Sequence, residues 1–179
     1  MSADTHKYGF ALKGTSVVLY RNNSFRRHQY FGVPDWAGGM YASPTASGSR
    51  SGGLTAATWA SMVYLGEEGY LAAARAIMDV ADEIKQGIAD MPELTLIGEP
   101  TFVISFRSEE IDIYHVNDFM KTRGWRFNVL QLPPALHFCV TMPQTFVPGL
   151  AGRFLDDLRE GVAYARDKAG TTAETTALY

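Results

Sequence analysis

From Tyr70 to Ala89 the apolar residues Leu71, Ala74, Ile77, Ala81, Ile84 and Ile88 step by three or four. That spacing lines one face of an α-helix and obliges the face to find a partner surface. Pro92 lies just beyond and marks the end of the helix. The partner surface follows in the chain. Leu94 to Ile97 and Thr101 to Phe106 read as two strands about the turn Gly98-Glu99-Pro100. Asp112 is placed to cap a helix running to about Arg123, and Gly124 to end it in a left-handed conformation. Trp125 to Gln131 and Ala135 to Met142 read as two more strands joined through Pro133-Pro134. A helix from about Pro148 to Arg166 then carries Leu150, Phe154, Leu158 and Val162. The order α-β-β-α-β-β-α predicts a small antiparallel sheet covered by helices on one face, of α/β to α+β class.

The first 53 residues are different in kind. They hold eight of the 17 glycines and only one strand-like run, Thr15 to Tyr20, whose Val17-Val18-Leu19 core suits a buried sheet position. Such a segment has little core of its own and is expected to pack on something larger. With 46% apolar residues overall, disorder is not the default. Leu54 to Leu65 reads as a helix rich in small residues, interrupted by Gly66. The polar, Thr-rich stretch from Thr171 to Tyr179 is expected to be extended or disordered unless its last ring docks.

Several function classes are disfavoured at once. The net charge is −3 and the sixteen Lys and Arg residues are spread rather than striped, so no nucleic-acid partner is expected. The single cysteine, Cys139, has no partner for an internal disulfide, and the start lacks the pattern of a secretory signal, which points to the cytoplasm. Every apolar run is broken well before the roughly 20 residues that span a bilayer, so no membrane segment is expected within the chain.

Chemical potential concentrates in SADTHKYGFALKG, residues 2–14. Lys7 stands between His6 and Tyr8 in a segment too polar and irregular for core. A lysine that attacks an aldehyde must shed its proton, which requires partial desolvation or a nearby positive charge. The stretch Ala46-Ser47-Gly48-Ser49-Arg50-Ser51-Gly52-Gly53, just before the helix near Leu54, leaves backbone amides free at a positive helix end. It reads equally well as an anion site and as a helix cap with a flexible lead-in. Other polar residues read as structural. His137 and Cys139 share one side of a strand, His115 sits in the first turn of a helix and is expected to be exposed, and Arg21, Arg26, Arg27 and His28 form a solvated edge. The pair Glu67-Glu68 suits the opening of a helix.

The stretches SADTHKYGFALKG, PDWAGGMYASPTASGSRSGG, EEGY, DIYHVND, RGWRFNVLQLPP and LHFCVTM, in that order over nearly the whole chain, resemble the sphingosine-1-phosphate lyases. These are fold-type-I pyridoxal-phosphate enzymes related to the group II amino-acid decarboxylases. The resemblance implies the C-terminal part of that transferase-like fold. Residues 1–53 would be a remnant of the large cofactor domain, 54–92 connecting helices, 93–168 the small α+β domain and 169–179 a tail. It implies Lys7 as the Schiff-base lysine and His6 as a neighbour of the pyridoxal 5'-phosphate phosphate, with the loop at Gly48 and Ser49 also at the cofactor. Lys13 would bind the phosphate of a phosphorylated sphingoid base, and Tyr41 and Tyr179 would border the active site. That loop approaches the cofactor of the other subunit in the family, so a homodimer with shared sites is implied. The sequence departs from the family pattern at Leu12 and Ser51, where proline is expected.

The implied reaction is cleavage of a phosphorylated long-chain base to phosphoethanolamine and a fatty aldehyde. Amino-acid decarboxylation by the same lysine and cofactor is the alternative enzyme reading. A third reading is non-catalytic: a dimerisation fragment, because the carboxylate and stacking ring that such enzymes place upstream of the lysine are not found in the six residues before Lys7. An N-terminally truncated piece with little turnover by itself is the expectation.

Overall fold

The computed structural model of the chain describes residues 1–177. Two compact units divide it, Met1–Gly69 and a second beginning at Tyr70. In the first unit, β1 (Ser2–Ala3) pairs antiparallel with β2 (Val17–Val18), Ser2 opposite Val18. A short helix α1 (Asn23–Arg26) follows, with the Asn22 side chain accepting from the Ser24 and Phe25 amides. After a 3-10 turn at Arg27–Gln29, β3 (Phe31–Val33) and β4 (Tyr41–Ser43) form a second antiparallel pair. The strand expected over Thr15 to Tyr20 shrinks to two residues, and it is not buried: Val18 is 53% exposed. A ribbon of two short strands has no second layer to cover either face. Ser43 is the one buried residue of this unit, so the expectation of little internal core holds.

Helix α2 (Gly52–Ala89) leaves helical geometry at Gly66, where φ is 59° and ψ −178°. A side chain there would be strained, and glycine is the residue that takes this conformation without cost. The interruption lies where the sequence places it. Beyond the break the helix buries Ala73, Ile77, Ala81, Ile84, Gly87 and Ile88. Leu71 and Ala74 are exposed, so the apolar seam starts at Ala73 rather than at Leu71.

The second unit is built on a four-stranded antiparallel sheet ordered β5-β6-β8-β7, from β5 (Thr95–Leu96), β6 (Val103–Arg107), β7 (Asn128–Gln131) and β8 (Pro134–Cys139). Ile104 lies opposite Phe138 and Phe106 opposite Leu136, and these four form the buried face. Helices α3 (Ile113–Thr122) and α5 (Leu150–Asp167) cover that face, with the short α4 (Met142–Thr145) between β8 and α5. Asp112 caps α3 by accepting from the Tyr114 amide at 2.9 Å, and Gly124 follows it at φ 89°. The α+β layering read from the sequence is thus the architecture found.

Aromatic packing closes this core. The Phe154 ring lies 4.9 Å from Phe138, 5.1 Å from Trp125 and 5.9 Å from Phe127, while the Trp125 indole donates to Asp157 at 2.7 Å. Edge-to-face and offset pairs of this kind add to the area they bury. One expectation fails here. His115 is not exposed but 4% accessible, because α3 turns it toward Thr171 and the Tyr164 ring. The described residues from Thr171 on form neither helix nor strand, and Thr175 among them is buried and bonded to α3. Truncating Phe154 to alanine is expected to cost the second unit about 3–5 kcal/mol in denaturant unfolding, whereas Leu71→Ala changes little.

Candidate active site

The Lys7 turn is built from backbone bonds within residues 4–11. The Lys7 amide donates to the Asp4 carbonyl at 3.1 Å, Phe10 to Lys7 at 3.1 Å, and Ala11 to Thr5 at 3.0 Å. A Cβ on Gly9 would stand 2.5 Å from the Thr5 carbonyl oxygen, so the turn closes this tightly only with glycine there. Phe10 takes a left-handed φ of 55°, an unusual conformation for an aromatic residue.

Threonine hydroxyls tie the turn to the helix. Thr5 Oγ1 donates to the Thr15 carbonyl at 2.9 Å, and Thr15 Oγ1 lies 2.9 Å from Thr58 Oγ1 on α2. Thr58 Oγ1 in turn donates to Leu54 O at 3.0 Å. His6 is half-buried beside Thr15, its Nδ1 3.4 Å from Thr15 O. The sequence reading missed these three threonines, and spacing alone gives no signal for them, since the ladder forms between residues 43 apart in the chain.

Lys7 itself faces solvent, its side chain 63% exposed, and Nζ pairs with Asp4 Oδ2 at 2.8 Å. The Asp4 hydrogen bond and charge hold the ammonium above the ordinary lysine range, and the same contact pulls the Asp4 carboxyl down. This runs opposite to the lowered pKa that an amine nucleophile needs. The described residues therefore present the amine but do not activate it.

The Gly-Ser loop leads into α2 as a capped end. Ser51 Oγ accepts from the Leu54 amide at 3.4 Å, so Ser51 occupies the cap position and the helix starts at Gly52 rather than at Leu54. Arg50 donates to the Ser47 carbonyl at 3.1 Å, and Thr45 Oγ1 donates to the same oxygen at 2.6 Å. A cleft of about 730 Å³ opens over this end, lined among others by Thr5, Thr15, Ser47, Arg50, Thr58 and Trp59. His6, Lys7, Lys13, Tyr41, Gly48 and Ser49 are not among the residues lining it. Lys13, Gly48 and Ser49 are exposed, and Tyr41 is exposed on β4 opposite Val33. Tyr179 lies outside the described residues.

On the sheet of the second unit, His137 Nε2 lies 2.8 Å from the Asn128 amide nitrogen, and burial pushes the His137 pKa down and the Cys139 thiol up. A thiol so shifted is a poorer nucleophile, in keeping with a structural role. Among the described residues no group of three His, Cys, Asp or Glu is placed to hold a metal ion, and no helix is long and apolar enough to cross a membrane.

No family model matches the chain. Individual relatives do. It is 46% identical to the sphingosine-1-phosphate lyases of Oryza sativa and of Arabidopsis thaliana over 95% of its length. A solved structure of the Burkholderia pseudomallei sphingosine-1-phosphate lyase superimposes with a TM-score of 0.84 at 58% identity, covering 93% of this chain. The chain is homologous to the sphingosine-1-phosphate lyases. It spans about a third of their length, 31% of each plant lyase and 38% of the bacterial chain. The fold expected from the resemblance, a small antiparallel sheet with helices from the C-terminal part of a fold-type-I enzyme, is the fold of the matching lyase region.

Replacing Asp4 by Asn in this lyase-like turn removes the carboxylate that stabilises the Lys7 ammonium. The Lys7 pKa then falls, and more free amine is present at pH 8. Reductive methylation of Lys7 by formaldehyde and cyanoborohydride, followed by peptide mass spectrometry, is expected to run faster in Asp4→Asn than in the parent. The rates of the other lysines are expected to stay as they were.

Proposed function

We propose that the chain supplies the lysine segment and the small domain of a pyridoxal-phosphate-dependent lyase. The enzyme cleaves a phosphorylated long-chain base, sphingosine 1-phosphate or a close relative, to phosphoethanolamine and a fatty aldehyde in the cytoplasm. The observation that carries this reading is the similarity to lyases of plants, animals and bacteria across nearly the whole chain. In domain terms, residues 1–53 belong to the large cofactor domain, 54–92 connect, 93–168 form the small domain and 169–179 the tail. The boundary between the two compact units falls within the connecting segment.

The residues present suit the cofactor in two respects and leave one need unmet. Lys7 Nζ is accessible at the apex of a rigid turn, and the capped helix end at Ser51 with its loop of small residues offers amides to an anion. What the unit lacks by itself is a dry surface over Lys7. When bound, pyridoxal phosphate withdraws electrons from a bond to the substrate's amine-bearing carbon, which makes carbon-carbon cleavage feasible. Lys7 would hold the cofactor through its Nζ, and the same amine, when free, would carry protons there. His6 and the Gly48-Ser49 loop would hold the cofactor phosphate, the loop in the partner of a homodimer. Lys13 pairs with the substrate phosphate as a point charge. Tyr41 and Tyr179 line the site and serve as proton carriers or donors to substrate oxygen. Covering the site excludes the water that now solvates Lys7, which weakens the ammonium form as catalysis requires.

Trapping tests the assignment. The protein is incubated with pyridoxal phosphate and sphingosine 1-phosphate is withheld; borohydride is added and the modified peptide mapped. A pyridoxyl group on Lys7, lost in Lys7→Ala, is the expected result. Label scattered over surface lysines without preference for Lys7 overturns the assignment.

A further inference from the structure

Thr5, Thr15 and Thr58 are each half-buried in a unit that buries only Ser43, and they spend their hydroxyls on one another. The line of protons has a direction. Thr58 Oγ1 donates to the Leu54 carbonyl one turn back along α2, so toward Thr15 it can only accept. The Thr15 hydroxyl therefore gives its proton to Thr58 and accepts on its other side from Thr5. Thr5 Oγ1 heads the line, its proton shared between the carbonyl and the hydroxyl of Thr15. Reversing any step sets two protons against each other, so the three side chains hold one arrangement.

Both residues assigned to the cofactor's reactive ends hang from this line. The Thr5 carbonyl accepts from the Ala11 amide and closes the Lys7 turn, while the Thr5 hydroxyl ties the same residue to Thr15. The Thr15 carbonyl has two lone pairs; one takes the Thr5 hydroxyl and the other faces His6 Nδ1 at 3.4 Å. A carbonyl oxygen only accepts, so the contact requires the proton on Nδ1 and leaves Nε2 turned away from Thr15. Gly14, at φ 118°, lies against the Leu54 side chain and brings Thr15 up to the helix.

We propose that Thr15 and Thr58 are positioning residues for the cofactor: the hydroxyl line from Thr5 to α2 fixes the angle at which the turn presents Lys7 Nζ and the His6 ring to one bound molecule. The inference rests on the proposed function, in which Lys7 meets the aldehyde and His6 the phosphate of pyridoxal phosphate. A molecule grasped at two points reacts only if the points keep their spacing, whereas a small aldehyde needs nothing but an accessible amine. The three threonines line the cleft over the start of α2 and Lys7 does not, so a change in the line leaves the amine's own surroundings, water and Asp4, as they are.

Two aldehydes compared on the purified chain test this. Pyridoxal phosphate is trapped with borohydride, formaldehyde with cyanoborohydride, and peptides are mapped by mass spectrometry. Thr58→Val keeps the shape but removes the hydroxyl that ends the line. In that variant, pyridoxyl labelling of Lys7 relative to the other lysines is expected to fall on the order of tenfold, with methylation of Lys7 within about twofold of the parent. Thr58→Ser restores the label. Thr15→Val, which breaks the same line outside the helix, acts like Thr58→Val. Thr55→Val, which loses only a bond to Ser51 O within α2, leaves the label unchanged. Amide exchange in residues 4–15 is expected to quicken on the order of tenfold in Thr58→Val, with exchange around Phe154 as in the parent. Unchanged exchange in residues 4–15 overturns the line as a support of the turn. Quickened exchange with the Lys7 pyridoxyl label undiminished overturns the positioning role, as does an equal loss of both labels. If Lys7 of the parent takes no pyridoxyl label, the proposed function fails and the positioning role with it, while exchange still decides whether the line holds the turn.

Discussion

The whole reading depends on how the Lys7 amine is held. A turn of residues 4–11, closed over Gly9 and hung from α2 by the hydroxyls of Thr5, Thr15 and Thr58, sets its position. Water and the Asp4 carboxylate set its charge. The first is rigid and local; the second is a property of the surroundings. Solvation and the Asp4 contact both favour the ammonium. Under the proposed function, activation therefore requires a surface that displaces water from the turn and competes with Asp4 for the lysine.

The two units differ in what secures them. The second has a closed aromatic and aliphatic core around Phe154, Phe106 and Leu136, and its helices and strands are tied by caps and ring contacts. The first buries almost nothing, and Trp36, Trp59, Phe31, Met40 and Tyr64 all lie exposed. Its shape comes from hydrogen-bonded turns and the α2 backbone rather than from burial, which is the condition of a segment that meets other surfaces. The proposed cofactor lysine sits there, on irregular chain positioned by a regular element.

Much of this was legible in the residues. The Asp112 cap, the helix break at Gly66 and the four strands after Leu94 follow from local rules, because caps, positive-φ glycines and alternation act over a few residues. The ends of elements drifted: the buried seam of α2 begins at Ala73, and β7 starts at Asn128 instead of Trp125, whose ring turns into the core against Phe154. Errors fell where a distant partner decides. Val17 and Val18 have the composition of buried strand but only Ser2 and Ala3 to pair with. His115 looks solvent-bound in sequence and is buried beside Thr171 in the fold, a pairing across more than fifty residues. The chemical assignment of Lys7 came from resemblance along the chain, since a His-Lys pair in a polar loop says little unaided.

A structure of the protein with pyridoxal phosphate bound tests the central claim most directly. The account predicts continuous density from Lys7 Nζ to the aldehyde carbon of the cofactor, the contact to Asp4 lost, and the cofactor phosphate close to His6. Density that leaves Lys7 on Asp4 in open solvent, with the pyridine ring held elsewhere, would contradict it.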